Sequence, residues 1–116
     1  MIYREGLSIP QIQVQIKPEI DALRVVIKKI GEKTKKPNYN PELMYIVVNK
    51  KINTRIFDTN DKMGAQGKFP PKVFNPSSGT VVFDEISVDN LYDFHLTAQK
   101  VTQGTCTPTH YIVVRN

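Results

Sequence analysis

Met44-Tyr45-Ile46-Val47-Val48 is the stretch whose reading decides the fold. It is an unbroken apolar run rich in β-branched residues, the pattern of a strand buried on both faces of a sheet. The segment before it, Pro37 to Pro41, is a loop. Further upstream, Ile16, Ile20, Leu23, Ile27 and Ile30 recur at steps of four and three residues, which puts one apolar stripe on a helix covering a sheet. Met1 to Arg4 is extended in character and runs into Gly6, a strand entering a tight turn. Strand, helix and buried strand form a βαβ unit, which implies parallel pairing through a right-handed crossover and an α/β class.

Local signals fill in the rest. Ser8 followed by Gln11 has the form of a capping box, and Pro10 suits a first turn, so the helix starts near Ile9. Pro18 predicts a kink or a restart, with Glu19 and Asp21 near the positive end of the second dipole, and Gly31 predicts the stop. Thr54 to Phe57 reads as a further short strand, and Asp58 to Ser78 as an exposed loop of weak periodicity. Thr80 to Phe83, Phe94 to Thr97 and Tyr111 to Val114 are short strand candidates.

The chain has 116 residues, a net charge of +5 and one cysteine. That size fits at most one domain, able to bury roughly two-thirds of its unfolded surface. Cys106 alone excludes an intramolecular disulfide and a cysteine-based zinc site, which favours a reducing compartment, cytoplasm or nucleus. No apolar run approaches the roughly 20 residues of a membrane helix, and Met1 to Glu5 lacks a signal-peptide layout, so neither secretion nor membrane spanning is expected.

The positive charge favours an anionic partner, but its distribution decides more than its total. Arg24, Lys28, Lys29, Lys33, Lys35 and Lys36 lie away from the apolar stripe and read as a solvated face. Lys50-Lys51-Ile52-Asn53-Thr54-Arg55 is different, because its cations and short polar side chains leave one end of the buried strand together. Cations neutralise phosphates, while Asn and Thr position sugar and phosphate oxygens, so this turn is a candidate nucleic-acid backbone contact. Glu5 sits at the C-terminal end of a strand before a Gly turn, the edge where open α/β sheets place ligands and catalytic groups. His95 and His110 lie inside strands without metal-ligand spacing, and Asp84, Glu85, Asp89 and Asp93 are spaced irregularly, as in a solvated loop.

Five blocks in order then resemble the later part of the PIWI domain of the Argonaute/Piwi family, the Piwi branch more than the Argonaute branch. They are Tyr3-Arg4-Glu5-Gly6, where the family has Tyr-Arg-Asp-Gly; Ile46-Val47-Val48 leading to Lys50-Lys51 and Thr54-Arg55; Asn75-Pro76 with Gly79-Thr80-Val81-Val82; Asp93-Phe94; and Gln103-Gly104-Thr105 with Pro108-Thr109-His110-Tyr111. Each string alone is common, and the shared order carries the resemblance.

The resemblance implies a partial RNase H-like fold, a mixed sheet with flanking helices, in which residues 1–116 lack the domain's opening strands and C-terminal helices. Met1 to Arg4 would then present an unpaired edge. It further implies small-RNA-guided silencing, with a guide RNA, its complementary target RNA and the remaining parts of the protein as partners. Guide-backbone contacts fall on Lys50, Lys51, Asn53 and Arg55, and on Gln99, Gln103 and Thr105. Thr107 stands where some Argonautes carry an Arg.

Family members that cut RNA use an Asp, Glu, Asp, His set around divalent metal, Mg2+ or Mn2+. Glu5 occupies the second Asp position and would serve catalysis and metal binding only in an intact domain, so no cofactor is expected for this chain alone. Its extra methylene moves the carboxylate by roughly 1 Å, a displacement that costs about a hundredfold in rate. His110 is not the catalytic histidine, and ring packing or a backbone bond near the RNA channel is expected of it. The alternatives are a guide-directed endoribonuclease in the intact protein, and an inactive or partner-binding piece whose basic turn is only solvated surface.

Overall fold

A βαβ unit opens the chain as its apolar pattern dictates. In a computed structural model, which describes residues 1–59, 73–83 and 92–115, strand β1 (Ile2–Glu5), helix α1 (Ile9–Lys33) and strand β2 (Met44–Asn49) are followed by β3 (Thr80–Val82), β4 (Tyr92–Thr97) and β5 (Thr109–Arg115). They form one five-stranded sheet of order β1-β2-β5-β4-β3. β1 pairs parallel to β2, and the remaining pairs are antiparallel. The sheet is therefore mixed, as expected. β1 has β2 as its one partner among the described strands, so its outer edge is open.

Side chains on one face of the sheet meet α1. Leu7, Ile12, Ile16 and Ile20 pack with Tyr45, Val47 and Ile112 into one buried cluster, flanked by Ile2, Leu23 and Val114. Burying a Leu or Ile side chain contributes about 1.5 to 3 kcal/mol, so this cluster is what holds α1 on the sheet. The apolar stripe outruns that support: Leu23 and Ile27 are half-buried and Ile30 is 45% exposed. A helix of 25 residues is about 37 Å long, longer than the strands beneath it. The opposite face is open, with Tyr3, Ile46, Val48, Phe94, Leu96 and Tyr111 lining a groove of about 560 Å³.

Several expectations are corrected. Pro18 does not restart the helix, because α1 runs through it unbroken. Pro18 and Val14, whose carbonyl loses its partner there, are both exposed, so water takes up the lost bond. Glu19 and Asp21 consequently lie inside the helix and no acidic residue occupies its first turn. Gly31 does not stop α1, which continues to Lys33 and ends where Thr34 sends its N–H and hydroxyl to the Ile30 carbonyl at 2.9 and 2.8 Å. Gly31 is instead a close approach: a Cβ there would lie 3.0 Å from the Lys36 carbonyl oxygen and 3.1 Å from the Tyr39 Cβ.

Thr54 to Phe57 is not a strand. Arg55 Nη1 donates to the Ile52 and Thr54 carbonyls at 2.7 and 2.8 Å, engaging acceptors that a ladder would use. Pairing resumes as the isolated bridge Asp58 to Phe74. Most of the expected 58–78 loop lies outside the described residues, as do Asp84, Glu85 and Asp89. Asp93, expected in a solvated loop, is 3% exposed within β4. Among the described residues, no helix is long and apolar enough to cross a membrane.

Candidate nucleic-acid interface

Parallel pairing brings the exits of β1 and β2 to the same end of the sheet, because Glu5 is in register with Val48. Gly6 adopts φ +83°, which lets the chain turn there without a Cβ penalty, and its N–H reaches the Val48 carbonyl at 3.3 Å. The turn delivers Ser8 to the start of α1, where the Gln11 side-chain oxygen accepts the Ser8 N–H at 2.9 Å and its hydroxyl at 3.0 Å. Glu5, Gly6, Leu7, Ser8, Lys50 and Lys51 thereby line one open cavity of about 700 Å³, with Asn49 and His110 on its wall.

Lys50 Nζ lies 3.4 Å from Glu5 Oε1, with both side chains about two-thirds exposed (66% and 67%). Such an exposed pair contributes at most about 1 kcal/mol and is easily exchanged for another partner. Lys51 and Asn53 are exposed, and Arg55 is turned back onto its own turn by its carbonyl contacts. The structure therefore brings Glu5, Lys50 and Lys51 together, while Asn53 and Arg55 lie beyond that cavity on the same exit segment.

The remaining candidates approach from the other side. Leu96 is in register with Thr109, and His110 with Asn49, so the β4 to β5 connection leaves the sheet at the same end as Lys50. Gln99, Gln103 and Thr105 are exposed on that connection. Asn75 holds it in place, donating from Nδ2 to the Val101 and Gly104 carbonyls at 3.1 and 2.8 Å and accepting the Cys106 N–H at 2.9 Å. Sequence reasoning noted Asn75-Pro76 as a string and missed this role. The signal was an Asn with no helix or hairpin to serve, whose side chain mimics a strand's donor and acceptor.

His110 shows the ring packing expected of it. Its ring packs on His95, with centroids 4.3 Å apart and planes 6° from parallel, and its polar bond goes to a carboxylate rather than to backbone. Nε2 lies 2.6 Å from Asp93 Oδ2, with side-chain exposures of 9% and 0%. Burial, and then the neighbouring His110, hold the His95 pKa below its ordinary 6.5, against the opposing pull of Asp93. On the open face, Phe94 stacks on Tyr111 at 5.1 Å and 13°.

The comparisons with known proteins agree with this architecture. The Piwi domain family model matches residues 1–116. The chain is 41% identical over 114 residues to Piwi-like protein Ago3 of Bombyx mori, covering 98% of this chain and 11% of that protein. It is 39% identical over 116 residues to Protein argonaute-3 of Drosophila melanogaster, covering 100% of this chain and 11% of that protein. The chain thus spans about a tenth of the length of these curated relatives.

Among solved structures, Drosophila Piwi superposes with a TM-score of 0.69 at 31% identity, over 96% of this chain and 13% of that one. The C-terminal lobe of a budding yeast Argonaute gives 0.75 at 24% identity, over 98% of this chain and 23% of that one, a likeness of fold that places the sheet and helix in the RNase H-like class. Matched along its whole length by the family model and by relatives on both measures, the chain belongs to the Piwi domain family.

Proposed function

We propose that this chain is the part of a small-RNA-guided silencing protein that grips RNA by its backbone, in the cytoplasm or nucleus, and that it does not cut RNA by itself. The observation that supports the reading is the convergence of Lys50 and Lys51 with Glu5 on one open cavity, at the sheet end where the Gln99 to Thr105 connection also departs. Lys and Arg neutralise phosphates, and the amides and hydroxyl of Asn53, Gln99, Gln103 and Thr105 suit ribose and phosphate oxygens. None of these makes a base-edge constellation, so sequence choice falls to pairing between guide and target.

Metal-dependent cleavage, which the family resemblance raises for Glu5, does not fit the donors present. A Mg2+ ion takes about six oxygen ligands, typically including more than one carboxylate or phosphate. Among the described residues no group of three or more His, Cys, Asp or Glu side chains could hold a metal, and Glu5 is paired with Lys50. Catalysis would need donors beyond the described residues.

The experiment is RNA affinity against salt. Single-stranded RNA binds weakly, affinity falls steeply with salt, and Lys50→Ala or Arg55→Ala lowers the log–log slope by about one. Affinity indifferent to salt, or unchanged when both cations are removed, refutes the reading and favours a solvated surface.

A further inference from the structure

The interface described above leaves unused a tightly held titratable group on the wall of its own cavity. His110 lines that cavity with Glu5, Lys50 and Lys51. Its Nε2 is anchored 2.6 Å from the fully buried Asp93 carboxylate. An ionised carboxylate only accepts, so Nε2 carries the hydrogen and donates it. Among the described residues Nδ1 makes no hydrogen bond, which leaves it as the ring's one unengaged polar atom.

We propose that His110 is a phosphate-binding residue of this interface: with Nε2–H fixed on Asp93, the ring offers Nδ1–H to a phosphodiester oxygen of RNA held beside Lys50 and Lys51. The inference rests on the nucleic-acid reading of the preceding subsection and names a ligand residue that it lacks. A ring so anchored loses little freedom on binding, and an imidazolium donating to a phosphate makes a charge-assisted bond of the stronger kind. His95 packs parallel to the ring at 4.3 Å, and two imidazolium rings face to face repel. The charged and titratable groups around the ring are Asp93 and His95 of β4, Glu5 of β1, and Lys50 and Lys51 behind β2. The N-cap Ser8 and the first turn of α1, with Ile9 and Gln11, also line the cavity, and none of these is charged. Glu5 and the two lysines offset one another in part.

The test uses the full chain with a fluorescein-labelled polyuridine oligonucleotide, its affinity measured across the histidine titration range. Protons are expected to be taken up on binding, so affinity falls about tenfold from acidic to mildly alkaline pH. His110→Gln flattens that profile, whereas Lys50→Ala lowers affinity at every pH and keeps the profile's shape. Because His110→Gln disturbs a buried pair, carbon-13 histidine spectra of the unaltered chain give an independent readout: added RNA raises the pH at which the His110 ring deprotonates. Equal profiles for the unaltered and His110→Gln proteins, or a His110 titration that RNA does not move, overturn the proposal while the Lys50 reading stands. Absence of RNA binding by the unaltered chain overturns both.

Discussion

The Tyr45 hydroxyl donates its hydrogen to the Glu19 carboxylate, joining β2 to the middle of α1. Arg4 Nε reaches the same carboxylate at 3.4 Å, so one acidic side chain ties β1, β2 and α1 together. Burial first, and then the Glu19 bond, push the Tyr45 pKa from 10.0 up to about 12. An unfolded phenol begins to lose its proton near pH 10 and the folded one holds it to about 12, so the stabilisation is complete below 10 and is lost as pH rises through 12. Tyr45→Phe is expected to cost about 1 kcal/mol at neutral pH and to flatten the alkaline loss of stability. Urea unfolding of both proteins at neutral and strongly alkaline pH measures this.

The His95 imidazole gives the opposite slope. Its folded pKa is depressed by burial and by His110, so the stability it contributes is present above the ordinary 6.5 and is lost as pH falls below that value. His95→Phe preserves a flat ring against His110 and removes the titration. Unfolding curves at neutral and mildly acidic pH should converge for His95→Phe and separate for the unaltered protein; equal acid sensitivity would place the destabilisation elsewhere.

These two residues also mark what the sequence revealed and what it hid. The βαβ unit was legible because Met44 to Val48 and the Ile16 to Ile30 stripe are local patterns whose period decides the element. Glu5 and Lys50 could be placed at one sheet end because parallel pairing follows from the crossover. Asp93 was misread because a carboxylate's burial depends on a partner in another strand, and His110 is 17 residues away. Pro18 misled for a related reason: propensity penalises it inside a helix, but tertiary packing of Ile12, Ile16 and Ile20 outweighs one bond that water replaces. Thr54 to Phe57 looked like a strand until Arg55 turned back on its own carbonyls.

Asn75 offers a direct test of how the β4 to β5 connection is held. Three hydrogen bonds converge on its amide, two donated and one accepted. Asn75→Ala leaves those backbone groups to water or unpaired and is expected to cost about 2 to 3 kcal/mol. Asn75→Asp keeps the acceptor for Cys106 but sets a carboxylate against the Val101 and Gly104 carbonyls, and should be no better. Amide hydrogen exchange should quicken at Cys106 in Asn75→Ala with little change in α1.

Thr97 makes the reverse prediction. Its hydroxyl oxygen is buried with no hydrogen-bond partner among the described residues. Thr97→Val keeps the shape and removes the unsatisfied group, so it is expected to stabilise the chain by about 1 kcal/mol in chemical denaturation. A loss of stability instead would mean that the hydroxyl is satisfied in solution.

Glu5 and Lys50 connect stability to binding. Their ion pair is exposed on both sides, so breaking it by Glu5→Gln should leave the unfolding midpoint nearly unchanged. The same change removes a negative charge from the cavity that Lys50 and Lys51 share and releases the Lys50 ammonium toward a phosphate. RNA affinity should therefore rise, by about twofold to fivefold at low salt, as expected for one partly screened charge at close range. The gain should shrink as salt increases, and Glu5→Asp, which keeps the charge, should show no such gain. If Glu5→Gln weakens binding, the carboxylate is itself accepting a hydrogen bond from RNA, and the cavity is held by more than its cations.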